Sequence, residues 1–185
     1  RRFDEALASW DRAIAVKPDF PEARNNRAAV LAHVRNRDPR PPESAADAAS
    51  PSAGVGVRND VRNCEDALAT YDEILAVRPE FAEAWSNRGI ALKGLRRFED
   101  ALASFARALE IRPDLADALS NRAATYTAMR RYPEALADLD RALAIEPLLA
   151  DAHNNRGAAL AAIRRHDEAL ACYERALKIR PGYAH

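Results

Sequence analysis

Four asparagines recur at one register of this chain: Asn26, Asn87, Asn121 and Asn155. Each follows an acidic residue by four positions, namely Glu22, Glu83, Asp117 and Asp151. Asparagine is a weak helix former in mid-helix, so its return at one register needs a reason. An amide side chain offers a donor and an acceptor together, the complement of a peptide bond's C=O and N–H. A row of such amides holds extended polypeptide by its backbone, with little regard to its sequence. Each net hydrogen bond contributes about 0.5–1.5 kcal/mol. The neighbouring acids would then favour basic peptides. These eight residues form the expected peptide-binding set; the alternative for the asparagines is that they tie neighbouring helices together.

Other reactive residue types are present without a reactive arrangement. Cys64 and Cys172 have no paired CxxC spacing, which argues against a zinc or redox motif. Cys64 and His166 take a place held elsewhere by Phe98 and Tyr132, and His153 takes that of Trp85. All three read as packing residues. Gly54–Val55–Gly56 lacks the Lys-Ser/Thr of a phosphate loop, and no GxSxG or HExxH occurs. The expectation is a segment with no catalytic residues, no cofactor and no metal.

The elements that position the asparagines follow from a repeat. Pro79, Pro113, Pro147 and Pro181 each lie 34 residues after the last. Ala101, Ala135 and Ala169 keep the same step, as do Ala108, Ala142 and Ala176. A fixed period of this length signals stacked supersecondary units. Within one period, Trp85, Gly89 and Leu92 make a helical stripe, and Ala101, Leu102, Phe105, Ala108 and Leu109 make a second. Pro113 cannot continue the second helix, so the chain turns there. Each period is thus a helical hairpin. On the first helix, residues two positions from the core stripe are turned by about 200°. Glu83, Asn87, Ile90 and Gly94 therefore point away from the hairpin, as do Asp117, Asn121, Ala124 and Ala128, and Asp151, Asn155, Ala158 and Ala162. The interrupted period contributes Glu22, Asn26, Ala29 and His33.

These columns resemble the tetratricopeptide repeat family. Trp85, Gly89, Leu92, Ala101, Phe105, Ala108 and Pro113 carry its signature in full. The next periods read Leu119, Ala123, Tyr126, Ala135, Leu139, Ala142, Pro147 and His153, Gly157, Leu160, Ala169, Tyr173, Ala176, Pro181. The resemblance implies an all-α fold, a right-handed α-solenoid of antiparallel helical hairpins whose first helices line a concave groove. The asparagine ladder is similar to that of the substrate-recruiting arm of O-linked N-acetylglucosamine transferases. That likeness implies an alternative function: recruitment for a glycosyltransferase domain outside this chain. The chain departs from that pattern by placing Arg27, Arg88, Arg122 and Arg156 directly after each asparagine. These arginines are expected on the flank facing the next repeat, with their heads on carboxylates. The cations of a chaperone-tail clamp are absent from the expected places, which hold Ser86, Ser120 and acids.

Residues 1–20 read as a half repeat, a second helix only, and 21–80 as a repeat interrupted by an insertion at about 36–62. Whole repeats follow at 81–114, 115–148 and 149–182, and 183–185 open another. The insertion holds four prolines and no evident apolar period, so a disordered loop is expected. Both ends fall within repeats, so a fragment of a longer array is expected. The 28 basic and 28 acidic residues balance, leaving no overall field for nucleic acid or an acidic membrane. The arginine pairs Arg96–Arg97, Arg130–Arg131 and Arg164–Arg165 are each followed by acids that neutralise them. No apolar run approaches the roughly 20 residues of a membrane span. The expected partner is a protein or peptide of basic character, with neither nucleic acid nor membrane. A cytoplasmic location is favoured, and arginine and alanine richness points to a bacterial source. The function expected is a scaffold for protein–protein interaction.

Overall fold

The apolar stripes close into helices in a computed structural model that describes residues 2–34 and 53–184. In chain order these are α1 (Arg2–Val16), α2 (Pro21–Val34), α3 (Ala53–Val77), α4 (Ala82–Gly94), α5 (Phe98–Ile111), α6 (Ala116–Ala128), α7 (Tyr132–Ile145), α8 (Ala150–Ala162) and α9 (His166–Ile179). A 3-10 turn, Pro181–Ala184, follows. The described residues are all-α and form a solenoid of helical hairpins. They divide into two compact units, Arg1–Arg97 and Phe98–His185. In the first, α2 packs on α1 and α3, and α4 packs on α3 and α2. In the second, α6 packs on α5 and α7, α8 on α7 and α6, and α9 on α8.

Each hairpin is held by large side chains set among alanines. Tyr71, Leu92, Phe105, Leu119, Leu139 and Leu160 are fully buried, and so are Ala84, Ala118, Ala123, Ala135, Ala142, Ala152 and Ala159. The alanines let helix backbones approach, so burial comes from the larger neighbours. Glycine takes this furthest at Gly157, where an added Cβ would stand 2.6 Å from the Tyr173 ring. The corresponding columns one repeat earlier hold Ala123 with Leu139, both fully buried. Gly157→Ala should therefore destabilise the second unit by about 1–3 kcal/mol through overpacking. Pairing Gly157→Ala with Tyr173→Leu, which copies the previous repeat, should restore most of the loss. Urea denaturation of the three proteins checks this, and an equally unstable double variant would remove the steric explanation.

The arginine pairs end the first helices in a specific way. Arg96, Arg130 and Arg164 have φ of 59°, 60° and 64°. Their successors close the helix backwards: Arg97 N donates to Leu92 O at 2.9 Å, Arg131 N to Tyr126 O at 2.8 Å and Arg165 N to Leu160 O at 3.0 Å. This is a left-handed helix end, usually made by glycine. Arginine accepts the strain here because the six-residue ring satisfies carbonyls that the helix leaves open. The second arginine of the pair then turns to the next helix. Arg131 Nε donates to Glu134 at 2.9 Å, and Arg165 pairs with Glu168 through both oxygens.

The second helix of the interrupted repeat is longer than expected. It begins at Ala53 and runs 25 residues to Val77, so residues 53–62 of the expected loop are helical. The sequence carries the reason, because Val57, Val61, Cys64, Leu68, Tyr71 and Leu75 alternate steps of four and three. This spacing continues one helical stripe upstream, where Gly54 and Gly56 suggest a break. The rest of the expected loop, 36–52, lies outside the described residues.

Candidate functional site: the exposed face of the first helices

The eight expected residues lie on the first helices α2, α4, α6 and α8, and none of them is buried. The residues a turn of the face away, Ala23, Ala84, Ala118 and Ala152, are buried. The predicted rotation of the face away from the hairpin is therefore present in each unit.

The amides are partly committed within the protein. Asn87 Nδ2 donates to Asn25 Oδ1 at 3.1 Å, and Asn25 Nδ2 donates to Asn26 Oδ1 at 3.4 Å. In the second unit, Asn155 Nδ2 donates to Ser120 Oγ at 3.1 Å. Asn25 and Ser120 sit just before the asparagines of their own helices, so the bonds from Asn87 and Asn155 tie consecutive first helices together. Asn121 differs, since its Nδ2 donates to the Asp117 carbonyl of its own helix at 2.9 Å. The Oδ1 atoms of Asn87, Asn121 and Asn155 accept no hydrogen bond among the described residues. The alternative expectation, a tie between neighbouring first helices, is thus present at Asn87 and Asn155, although the partners Asn25 and Ser120 were not foreseen. Their position next to each ladder residue was the available signal.

The acids also divide. Glu22 accepts from Arg78 Nη1, a bond that holds its carboxyl below the usual carboxylate range and raises the arginine. Asp151 lies 3.5 Å from Arg180 Nη2. Arg78 and Arg180 each precede a repeat-closing proline, Pro79 and Pro181. At that register the repeat 115–148 carries Glu146 instead, and Asp117 stands exposed with no ion pair among the described residues. The acidic character expected along the row is thus offset at Glu22 and Asp151 and kept at Asp117.

The arginines after each asparagine take carboxylates, but on the other side from that expected. Arg27 reaches Asp11 at 2.6 Å, Arg88 reaches Asp72 at 2.8 Å and Arg156 reaches Asp140 at 2.9 Å. Each partner is on the second helix of the preceding repeat, over which the first helix lies. Arg122 is the exception. Ala106 occupies the register of that carboxylate, and Arg122 turns instead to Asp138 within its own hairpin, at 2.6 and 2.7 Å through both oxygens. Asp138 is 5% exposed, and its bond to Arg122 raises the guanidinium pKa.

The remaining candidate groups serve packing. Trp85 Nε1 donates to Pro79 O at 2.8 Å, and His153 Nε2 makes the same bond to Pro147 O at 3.0 Å. The imidazole thus does the work of the indole it replaces. Cys64 and Cys172 are both buried, and Arg156 Nη1 donates to Cys172 Sγ at 3.3 Å. Among the described residues, no helix is long and apolar enough to cross a membrane.

Stacked antiparallel helical hairpins define a helical repeat protein. The chain belongs to the tetratricopeptide repeat family, whose models match residues 1–50, 60–116, 116–147 and 150–183. No curated protein matches it in sequence. Among solved structures it is similar to a thermophilic TPR protein of Thermus thermophilus, with 23% identity and a TM-score of 0.73 over 98% of this chain and 85% of that one. It is also similar to MamA of Desulfovibrio magneticus RS-1, at 15% identity and a TM-score of 0.63 over 99% of this chain and 88% of that one. A third likeness is to the first TPR of Spaghetti (RPAP3) bound to the HSP90 peptide SRMEEVD, at 24% identity and a TM-score of 0.54 over 56% of this chain and 82% of that one. At these identities the likeness is one of fold.

Proposed function

We propose that this chain is a protein-interaction scaffold that holds extended polypeptide along the exposed face of its first helices, without catalysis in this segment. The observation that carries this reading is that the amide oxygens of Asn87 in the first unit, and of Asn121 and Asn155 in the second, accept no hydrogen bond among the described residues. An unclaimed carbonyl oxygen accepts a peptide N–H, and Asn26 adds an exposed amide beside Glu22. Asp117 supplies a preference for a basic side chain, because its carboxylate lacks the arginine that Glu22 and Asp151 have. The peptide in the Spaghetti TPR complex carries consecutive acids, SRMEEVD. This face has acids at its charged register, so its ligand is of the opposite character.

Asn121→Ala is the discriminating change. Its N–H bonds only its own helix, whereas Asn87→Ala also cuts the link to Asn25. Titration against a library of extended basic peptides should show Asn121→Ala weakening binding about two- to tenfold, the equivalent of one hydrogen bond. Circular dichroism should be unchanged. Unaltered affinity in the folded variant would end the ladder reading.

A further inference from the structure

The repeat 115–148 carries a reversed charge where its neighbours pair an acid with an arginine. The residue before the closing proline is Arg78, Arg112 and Arg180 in the repeats around it and Glu146 here. In the repeats 21–80 and 149–182 that arginine meets the first acid of its own repeat. Arg78 bonds Glu22, and Arg180 Nη2 lies 3.5 Å from Asp151 Oδ2. The two registers are therefore within ion-pair reach of each other inside one repeat. At those registers the repeat 115–148 sets Asp117 and Glu146, two exposed carboxylates that make no ion pair among the described residues.

Glu146 also stands where an acid is unfavourable. It caps the C-terminal end of α7, where the aligned peptide dipoles carry partial negative charge. The arginines of the other repeats complement that end of their helices, whereas α7 has no basic residue in its last turn. A metal ion is a poor match, since calcium takes about six to eight oxygen ligands and the described residues hold no group of three metal-binding side chains. A guanidinium fits, as it does in the flanking repeats. Its five donors in a planar fork serve two carboxylates at once, and its weak hydration suits a place beside apolar side chains. Ile145 and Leu148, which flank Glu146 and Pro147, are 44% and 61% exposed. We propose that Asp117 and Glu146 together clamp an arginine side chain of the polypeptide held by the first helices, so that Glu146 selects arginine over lysine at this point of the ligand. This rests on the peptide-binding reading above and adds to it a residue outside the eight and a preferred side chain.

The probes are peptides of alternating serine and threonine whose central residue is arginine, lysine or citrulline, the last keeping the shape without the charge. They are titrated into the whole 185-residue chain and followed by amide NMR shifts, which read weak affinities. The arginine peptide should bind about three- to tenfold tighter than the citrulline peptide, the worth of one or two exposed ion pairs. Lysine should fall between them, and added salt should narrow the difference. Glu146→Arg copies the neighbouring repeats and gives Asp117 an internal partner, so it should erase the preference, and Glu146→Gln should reduce it. Both sites are exposed, so circular dichroism should stay as it is in the unaltered chain. A preference that survives Glu146→Arg, or an arginine peptide that binds no better than the lysine or citrulline peptide, would overturn the clamp and leave the asparagine ladder standing. If none of the peptides binds, the clamp falls together with the reading beneath it.

Discussion

Asp138→Ala should destabilise the second unit by about 3–5 kcal/mol, the cost of stranding one member of a buried ion pair. Asp138 lies almost wholly out of solvent and receives two hydrogen bonds from Arg122. Removing it leaves a guanidinium between α6 and α7 without the carboxylate that accepts both of its hydrogen bonds among the described residues. Substitution of both residues by leucine is expected to be near neutral, because the favourable attraction and the desolvation of two charges disappear together. The distinction is measurable by urea denaturation of the single and double variants. A loss below about 1 kcal/mol for Asp138→Ala would mean that water screens the pair, as it does for exposed pairs. Arg156 and Asp140 offer the internal comparison. They make one bond at 2.9 Å with Asp140 well exposed, so breaking them should cost far less.

Leu160→Ala should cost about 2–5 kcal/mol, the range for a leucine removed from a packed core. Leu160 is fully buried against Ala169 and Cys172, with Leu136 and Tyr173 at the edge of the cluster. Two of these neighbours are small, so the site has little with which to refill the space. The consequence should be spatially uneven. In a repeat array each hairpin leans mainly on its neighbours, and α9 is held by α8 and the 3-10 turn after it. Hydrogen exchange in the variant should therefore accelerate in α8 and α9 well before α6 and α7. Uniform acceleration across the second unit would show that the hairpins unfold as one block.

These two residues differ in how far the sequence foretold them. Leu160 sits in a column whose spacing alone marks it as core, alongside Leu92 and Tyr126. Asp138 gave no such sign. It shares a column with Ser104 and Cys172, and only the loss of a carboxylate at Ala106 makes its role intelligible. The acids of the first helices teach the same lesson. Four equivalent carboxylates recur in sequence, but Arg78 and Arg180 fold back on Glu22 and Asp151 and leave Asp117 apart.

What the sequence by itself determined was the period, the two helices in each period and the side of each helix that is buried. Those are properties of spacing, and spacing is fixed along one chain: a proline every 34 residues ends a helix wherever it stands. Helix α3 shows the limit of this, since Gly54 and Gly56 drew attention from the valines that extend it to Ala53. What only the tertiary structure decided was the pairing of polar groups. An amide has several partners within reach, and so has a guanidinium on a flexible stem. Asn87 chose Asn25, Asn121 chose its own helix and Arg122 chose Asp138. Each choice depends on distances between helices that are not encoded in any one helix's periodicity. The apolar core follows from pattern because burial is non-directional, whereas hydrogen bonds and ion pairs need a particular atom at a particular distance.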